Sequence, residues 1–189
     1  GIIEKSSTSQ FWSQVLLVKK PHDDVSTGEK LWRFCVDYVN LNRASKPEKW
    51  PLPKIDDLLQ QIGQNRPTVF AKIDLTHGFH QTTLALAAMQ FTAFIVAFGI
   101  YVWKRVPMGL KGAPGYFQGQ MQIVLGALLM MCCALYIDDI LIWGKTNAEL
   151  LVNLRKVFER LRQFNITIHP DKIFVGLKQL EFIGHTIDA

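Results

Sequence analysis

Residues Cys132 to Trp143 read Cys-Cys-Ala-Leu-Tyr-Ile-Asp-Asp-Ile-Leu-Ile-Trp, so two adjacent acids stand between two apolar runs. Apolar runs on either side of a short polar break predict a β-hairpin whose tip carries Asp138 and Asp139. Burying adjacent ionised carboxylates is costly unless a cation or hydrogen-bond donors compensate, and a divalent metal would do so. A solvated turn, in which Asp-Asp is ordinary, explains the pair equally well.

Asp74 lies at the end of another apolar run, the predicted buried strand Val69 to Leu75. Alone, it is explained as an N-cap for the helical turn that follows. Two acidic strand ends can also converge in one antiparallel sheet, and Mg²⁺ prefers carboxylate and phosphate oxygens. Together, Asp74, Asp138 and Asp139 indicate a site for two-metal phosphoryl transfer, in which ions about 3.5–4 Å apart stabilise the attacking and leaving oxygens.

The spacing of apolar side chains predicts three helices. Apolar residues at i, i+3, i+4 and i+7 predict a short amphipathic helix over 54–62 and a long, mostly buried helix over 112–131. Thr146 and Glu149 have the spacing of a capping box, and the helix that follows them extends to Phe164.

The remaining segments predict strands and a connector. Val15–Lys20 and the apolar run 31–41 form a basic β-hairpin, and short strands are expected over 166–168 and 180–187. The polar insert of the first hairpin contains the turn residues Pro21, Asp23, Asp24 and Gly28. Three prolines within 46–53 predict an extended connector between two subdomains. Strands and helices in this order predict an α+β architecture, an antiparallel sheet backed by helices.

Composition limits the class of protein. A chain of 189 residues with 49% apolar and 20% charged residues can bury a core, which argues against a disordered or fibrous chain. The net charge of +5 weakly favours a polyanionic partner. The three cysteines lack CxxC spacing, so neither a disulfide framework nor a zinc knuckle is expected. The longest apolar stretch, Ile123 to Ile137, is shorter than the roughly 20 residues of a membrane span, so no membrane partner is expected.

Several motifs occur in a fixed order and carry a family resemblance. They are Lys72-Ile73-Asp74-Leu75 with Gly78-Phe79-His80-Gln81, then Tyr136-Ile137-Asp138-Asp139, and finally Phe182-Ile183-Gly184-His185. In these motifs the chain resembles the reverse transcriptases of gypsy-class LTR retrotransposons, which are related to retroviral and pararetroviral enzymes. The resemblance extends from about Val15 to Ile187.

The resemblance implies a right-hand polymerase, with fingers over about 15–53 and 65–112 and a palm over about 54–64 and 113–189. It implies an RNA-directed DNA polymerase in which a primer 3′-hydroxyl attacks the α-phosphate of a dNTP on an RNA or DNA template. Two Mg²⁺ ions, or Mn²⁺ as a substitute, are the implied cofactors. Their implied ligands, which are also the catalytic residues, are Asp74, Asp138 and Asp139.

The expected partners are a template-primer duplex and dNTPs. Relatives continue into a thumb, a connection and an RNase H domain, so we expect a thumb-less core from a longer polyprotein. Its expected location is the cytoplasmic particle of the element, or the nucleus.

The resemblance also implies two sets of substrate contacts. The expected dNTP contacts are Lys19, Lys20, Arg33, Phe79, Met108 and Lys172. The expected primer and template contacts are Tyr136, Gly109, Pro114, Phe182, Gly184 and His185. Phe79 matches the aromatic position that excludes a ribose 2′-hydroxyl, because a rigid ring against C2′ leaves no room for another oxygen. Ordinary structural roles remain open: a core position for Phe79, a solvated strand face for the basic residues, and a turn for Lys172.

Some positions depart from the family pattern. Met108 stands where Phe or Gln is usual, and Val39, Phe91, Ile95 and Ala97 replace residues that are often basic. Fewer cations mean weaker contacts with template phosphates. Because we also expect a core without the thumb, connection and RNase H parts, we expect weak, poorly processive activity from this piece alone. The alternative is a catalytically inactive, reverse-transcriptase-like module from a decayed element that binds nucleic acid or a protein.

Overall fold

The computed structural model describes residues 1–19, 31–46 and 50–188. The chain divides into two compact units. The first comprises Gly1–Glu48 and Phe79–Ala113, and the second comprises Lys49–Gly78 and Pro114–Ala189.

The described residues form the following elements in chain order. The strands are β1 (Ile3–Lys5), β2 (Val15–Lys19), β3 (Trp32–Val36), β4 (Val69–Leu75), β5 (Phe94–Val96), β6 (Gly99–Trp103), β7 (Cys133–Tyr136), β8 (Asp139–Gly144), β9 (Ile168–Leu177), β10 (Gln179–Phe182) and β11 (His185–Asp188). The α-helices are α1 (Val39–Ala44), α2 (Ile55–Gln64), α3 (Leu86–Met89), α4 (Ala113–Leu125) and α5 (Asn147–Gln163). Short 3₁₀ helices lie at Gly78–Gln81, Gln90–Thr92 and Gly126–Leu128. The α+β architecture predicted from the sequence is confirmed.

The first unit contains two small antiparallel sheets. One is a three-stranded sheet in the order β1-β6-β5, and the other is the β2–β3 hairpin. The hairpin confirms the prediction for the N-terminal strands, while its expected turn residues lie outside the described residues. The second apolar run does not extend to residue 41 as a strand: β3 ends at Val36, and α1 begins at Val39, whose N–H donates a 2.9 Å hydrogen bond to Asp37 Oδ1.

The second unit is built on a four-stranded antiparallel sheet in the order β7-β8-β4-β9. β4 is a central strand, paired with β8 on one side and β9 on the other. For this reason residues 65–78, which were expected in the fingers, belong to the second unit, as do residues 50–53. β4 begins and ends at the predicted residues.

The helices of the second unit follow from local chemistry. α5 begins where Thr146 accepts a hydrogen bond from Glu149 N, as the capping-box spacing predicts. α4 is shorter than the predicted helix over 112–131. It ends at Leu125 because Gly126 adopts φ 51°, a left-handed conformation that favours glycine and ends the helix.

An apolar cluster lies on the face of the sheet that also carries Asp74. Phe70 of β4, Leu141 and Trp143 of β8, and Leu58 of α2 are all buried in it. β10 adds Leu180 and Phe182, so the β10–β11 hairpin is fastened to this face. On the opposite face the alternate β4 residues are also buried, and α5 packs against β4 and β8. The sheet is therefore held from both sides near the strand ends that carry the acids.

Within the described parts of the chain, the helices fall short of the combined length and apolar character that a bilayer span requires.

Candidate active site

Strand register brings the predicted acids together. Asp74, near the end of β4, lies directly opposite Asp139, the first residue of β8. Directly opposed residues of an antiparallel pair have Cα atoms about 4.5–5.5 Å apart and project from the same face. Asp138 lies in the turn just before β8, and its carbonyl oxygen accepts a 3.3 Å hydrogen bond from Leu75 N. The three aspartates named from the sequence therefore lie at one end of one sheet.

The charges of these acids act on one another. Burial raises the pKa of the half-buried Asp138 above its ordinary value, and the negative charges of Asp139 and Asp74 raise it further. A hydrogen bond from its own backbone N–H and the positive charge of Lys172 oppose this rise. Such crowding of negative charge favours the binding of a cation.

A buried glutamine fixes the turn that carries Asp138. Ile137 adopts φ 56°, an uncommon conformation for a β-branched residue. Its N–H donates a 2.7 Å hydrogen bond to Gln118 Oε1, and Gln118 Nε2 donates to the Leu135 carbonyl oxygen at 3.4 Å. Gln118 is only 1% exposed, so α4 holds the hairpin tip through a side chain that is shielded from water.

Sequence reasoning missed Gln118, although a signal was present. It stands three residues before Met121 and seven before Leu125, both fully buried, so it belongs to the apolar face of α4. A polar side chain at such a position requires a partner inside the protein.

Gly78 permits a close approach beside the acids. A Cβ atom at Gly78 would lie 3.1 Å from the Phe117 ring and 3.4 Å from the Asp138 Cβ. The glycine of the Gly78-Phe79-His80-Gln81 motif is therefore required by packing against α4 and the hairpin tip.

Two lysines neutralise the opposed acids. Lys172 Nζ lies 3.2 Å from Asp74 Oδ2, and Lys72 Nζ lies 3.2 Å from Asp139 Oδ2. Lys172, a predicted dNTP contact, belongs to strand β9 and not to a turn. Lys72 was not predicted. It stands two residues before Asp74 in an otherwise apolar strand, which places both side chains on one face and could have identified it.

The carboxylate oxygens of the site suit a hard cation whose remaining ligands come from water and substrate. Among residues 1–19, 31–46 and 50–188, no three His, Cys, Asp or Glu side chains form a ready-made metal cluster. Mg²⁺ in phosphate-transfer sites is usually held by one or two carboxylates, by waters and by substrate phosphates, and not by an all-protein cage. Asp74 and Asp139, each about one-quarter exposed, offer oxygen ligands of this kind.

Two further predicted contacts, Tyr136 and Pro114, belong to the second unit. Tyr136, the last residue of β7, pairs with Asp139, so Tyr136, Asp139 and Asp74 form a row across three strands. Pro114 lies in the first turn of α4.

The expected primer contacts at the C-terminal end divide between core and surface. Phe182 is fully buried in the apolar cluster, which places its side chain in the core and away from solvent. The two-residue loop after it contains Ile183 at φ 53° and Gly184 at φ 73°, the positive values of a type I′ turn. Gly184 and His185 are exposed. Gly184 and His185 are therefore the residues of this motif that are most available to a ligand.

The other predicted contacts lie in the first unit. Lys19 and Arg33 are exposed on the β2–β3 hairpin, opposite Trp32 and Val18 respectively. Phe79 is half-buried in the 3₁₀ helix Gly78–Gln81. Lys20 lies outside the described residues.

The Met108-Gly109 loop of the first unit is attached to α1. Asn42 Nδ2 donates to the Gly109 carbonyl oxygen at 2.8 Å, and Asn42 Oδ1 accepts a 2.7 Å hydrogen bond from Lys111 N. Gly109 adopts φ 91°, a value that favours glycine. Met108 is 51% exposed, so the loop presents this side chain to solvent. Sequence reasoning missed the role of Asn42, because the contact spans residues distant in the chain.

Residues 18–187 match the family described as reverse transcriptase (RNA-dependent DNA polymerase). The retrovirus-related Pol polyproteins from transposons 412 and 297 of Drosophila melanogaster are 37% and 34% identical to the chain over 97% and 99% of its length. The chain spans only 15% and 17% of those polyproteins.

Two solved structures of the foamy viral protease-reverse transcriptase share the fold. The complex with an RNA/DNA hybrid is 25% identical with a TM-score of 0.85, and the complex with dsDNA is 25% identical with a TM-score of 0.84. Both cover 100% of this chain, which in turn covers 24% and 37% of theirs. The match to the family over nearly the whole chain, together with these relatives, shows that the chain belongs to the reverse transcriptase (RNA-dependent DNA polymerase) family.

Proposed function

We propose that this chain is an RNA-directed DNA polymerase core that extends a primer with dNTPs on an RNA or DNA template. The observation that carries the proposal is the register pairing of Asp74 with Asp139, with Asp138 in the adjoining turn. Three carboxylates at one strand end suit a reaction in which phosphate charge is handled by cations.

In the proposed reaction the primer 3′-oxygen forms a bond to the α-phosphorus while the bond to the bridging oxygen breaks, releasing pyrophosphate. Two Mg²⁺ ions, or Mn²⁺ ions, held by Asp74, Asp138 and Asp139 would supply Lewis-acid stabilisation of the attacking and leaving oxygens. Gln118 holds the turn so that Asp138 stays beside the opposed pair. Lys172, beside Asp74, supplies positive charge that we assign to the leaving pyrophosphate.

Substrate selection is assigned to the residues that the family resemblance names. We propose that Lys19, Lys20, Arg33 and Met108 contact the dNTP, and that Phe79 excludes a ribose 2′-hydroxyl. We assign primer and template contacts to Tyr136, Gly109, Pro114, Gly184 and His185, with Phe182 supporting their hairpin from the core. The foamy viral relative binds an RNA/DNA hybrid and dsDNA, which supports a template-primer duplex as the partner.

Primer extension on poly(rA)/oligo(dT) with Mg²⁺ tests the proposal. Incorporation by the unaltered chain is expected to fall to background in Asp138→Asn and in Asp74→Asn. Asp57→Asn, an exposed carboxylate in the first turn of α2, is the matched control and is expected to retain incorporation. Equal incorporation by Asp138→Asn and the unaltered chain would refute the assignment.

The two lysine–aspartate ion pairs favour a second candidate function, a module that binds nucleic acid without synthesis. In that case the lysines would serve as permanent partners of the acids. Binding with no dNTP incorporation, and with a salt dependence that Asp138→Asn leaves unchanged, would select this candidate.

A further inference from the structure

Lys72 connects the acidic site to the β10–β11 hairpin. Its ammonium lies 3.2 Å from Asp139 Oδ2 and 3.4 Å from the Glu181 carbonyl oxygen of β10. The Lys72 side chain is 24% exposed and that of Asp139 is 26% exposed, so water screens this pair less than a fully exposed one. A single cation thus contacts both a predicted catalytic carboxylate and the backbone of a separate sheet.

The position of Lys72 in β4 explains why one residue can do this. Phe70 stands two residues before it on the same face and Leu141 lies opposite it, and both are fully buried. Asp74 stands two residues after it. The apolar stem of Lys72 therefore lies between the apolar cluster and the acids. Its ammonium lies at the edge of the cluster, where it contacts both Asp139 and β10.

The β10–β11 hairpin depends on attachments of this kind. It is a two-stranded sheet with four cross-strand pairs, and an isolated two-stranded hairpin is marginally stable in water. Leu180 and Phe182 bury its inner face against the sheet, whereas Glu181 is exposed. The contact from Lys72 to the Glu181 carbonyl oxygen adds a polar attachment on the side nearest the acids.

We infer that Lys72 is a positioning residue whose ammonium balances the charge of Asp139 while no divalent ion is bound. Through its second contact it couples ion binding at Asp139 to the attachment of the β10–β11 hairpin. The inference rests on the proposed function of the acids as ligands of divalent ions. An ammonium and a divalent ion compete for the same carboxylate oxygen, so Lys72 lowers the affinity for the ion before substrate arrives. When the ion takes Asp139, Lys72 loses one of its two anchors, and the hairpin is held less firmly. Because coupling is reciprocal, a change at the hairpin also alters ion affinity.

The test measures Mn²⁺ binding and hairpin dynamics in the full chain without nucleic acid. Free Mn²⁺ is titrated by electron paramagnetic resonance, and amide hydrogen exchange is followed for residues 179–188, each with and without Mn²⁺. Lys72→Met keeps the apolar stem and removes the charge, and Lys72→Arg keeps the charge. Lys172→Met is the matched control for exchange, since it removes the other lysine–aspartate pair, on β9.

Lys72→Met is expected to bind Mn²⁺ about three- to tenfold more tightly than the unaltered chain. Its hairpin amides are expected to exchange about tenfold faster, with no further response to Mn²⁺. In the unaltered chain Mn²⁺ itself is expected to accelerate that exchange. Lys72→Arg is expected to bind Mn²⁺ no more tightly than the unaltered chain, and Lys172→Met is expected to leave hairpin exchange unchanged.

Unchanged or weaker Mn²⁺ binding by folded Lys72→Met overturns the inference, as does the lack of measurable binding in both proteins. If Lys72→Met does not fold, tighter Mn²⁺ binding by Lys72→Arg overturns it instead. Normal primer extension with unaltered Mn²⁺ affinity in Lys72→Met would leave the proposed function standing and remove this inference. If Lys72→Met binds Mn²⁺ more tightly and its hairpin exchanges faster, but the unaltered chain shows no primer extension, the inference stands and the proposed function is refuted.

Discussion

Replacing Gln118 by leucine removes both polar groups that hold the tip of the β7–β8 hairpin while keeping a similar volume on the inner face of α4. The 2.7 Å hydrogen bond from Ile137 N is lost, and that N–H is left without this acceptor. An unsatisfied buried donor costs about 1–3 kcal/mol. The bond to the Leu135 carbonyl oxygen, at 3.4 Å, is long and contributes less. We therefore expect a loss of about 1–3 kcal/mol in the free energy of unfolding.

The same replacement is expected to lower the rate of catalysis as well. Ile137 is held at φ 56°, and without Gln118 the turn can relax toward a more common conformation. Asp138 is the next residue, so relaxation moves its carboxylate relative to Asp74 and Asp139. Displacement of about 1 Å at a reacting centre can cost on the order of 100-fold in rate.

Urea unfolding and primer extension, both at a temperature where the variant remains folded, measure the two effects. Gln120→Leu is the matched control: it makes the same change at an exposed position of α4 and should alter stability by no more than about 0.5 kcal/mol. If Gln118→Leu matches Gln120→Leu in both assays, the reasoning that α4 holds the hairpin tip through Gln118 is refuted.

Gly78→Ala places a Cβ against Phe117 and Asp138, so it is expected to lose about 1–3 kcal/mol of stability together with incorporation. Gly63 of helix α2 has no atom within 4 Å of the position of a Cβ, so Gly63→Ala is expected to raise the free energy of unfolding by up to about 1 kcal/mol. Urea unfolding of the two glycine variants measures this contrast. Because the pKa of Asp138 is raised on folding, its contribution to stability is present below the unfolded pKa and is lost as pH rises through the folded value. Asp138→Asn should therefore become more stable than the unaltered chain as pH rises through the acidic range, and a constant difference in unfolding free energy would contradict this. Phe79→Val is expected to raise incorporation of rNTPs relative to dNTPs, and an unchanged ratio in primer extension would remove its assigned role.

Elements whose own residues determine their conformation were predictable. β4 agrees with its apolar run at both ends, and α5 begins at the Thr146 cap. β9 was not predicted beyond Ile168, because Pro170 and its polar neighbours are typical of a turn. Pairing with β4 overrides that local preference, and an edge strand tolerates a proline that lacks an N–H donor.

For the site, too, local sequence signals were predictable and tertiary contacts were not. Each aspartate was visible from its apolar surroundings, but the pairing of Asp74 with Asp139 is a matter of strand register between distant segments. The sequence pattern of α4 and β4 marks Gln118 and Lys72 as unusual polar positions, but the partner that each side chain contacts depends on tertiary structure. The roles of the substrate contacts named from the resemblance stay predictions.

The place of β4 in the middle of its sheet has a consequence during synthesis on the ribosome. Both strands that flank β4, β8 and β9, come after it in the chain. At translation rates of about 5–20 residues per second, β4 emerges several seconds before either neighbour. Its apolar side chains and backbone edges are exposed in the nascent chain during that interval, when chaperones or other aggregation-prone segments can bind them. The strand that carries Asp74, a proposed metal ligand, thus lacks both of its partners until the rest of its sheet has been made.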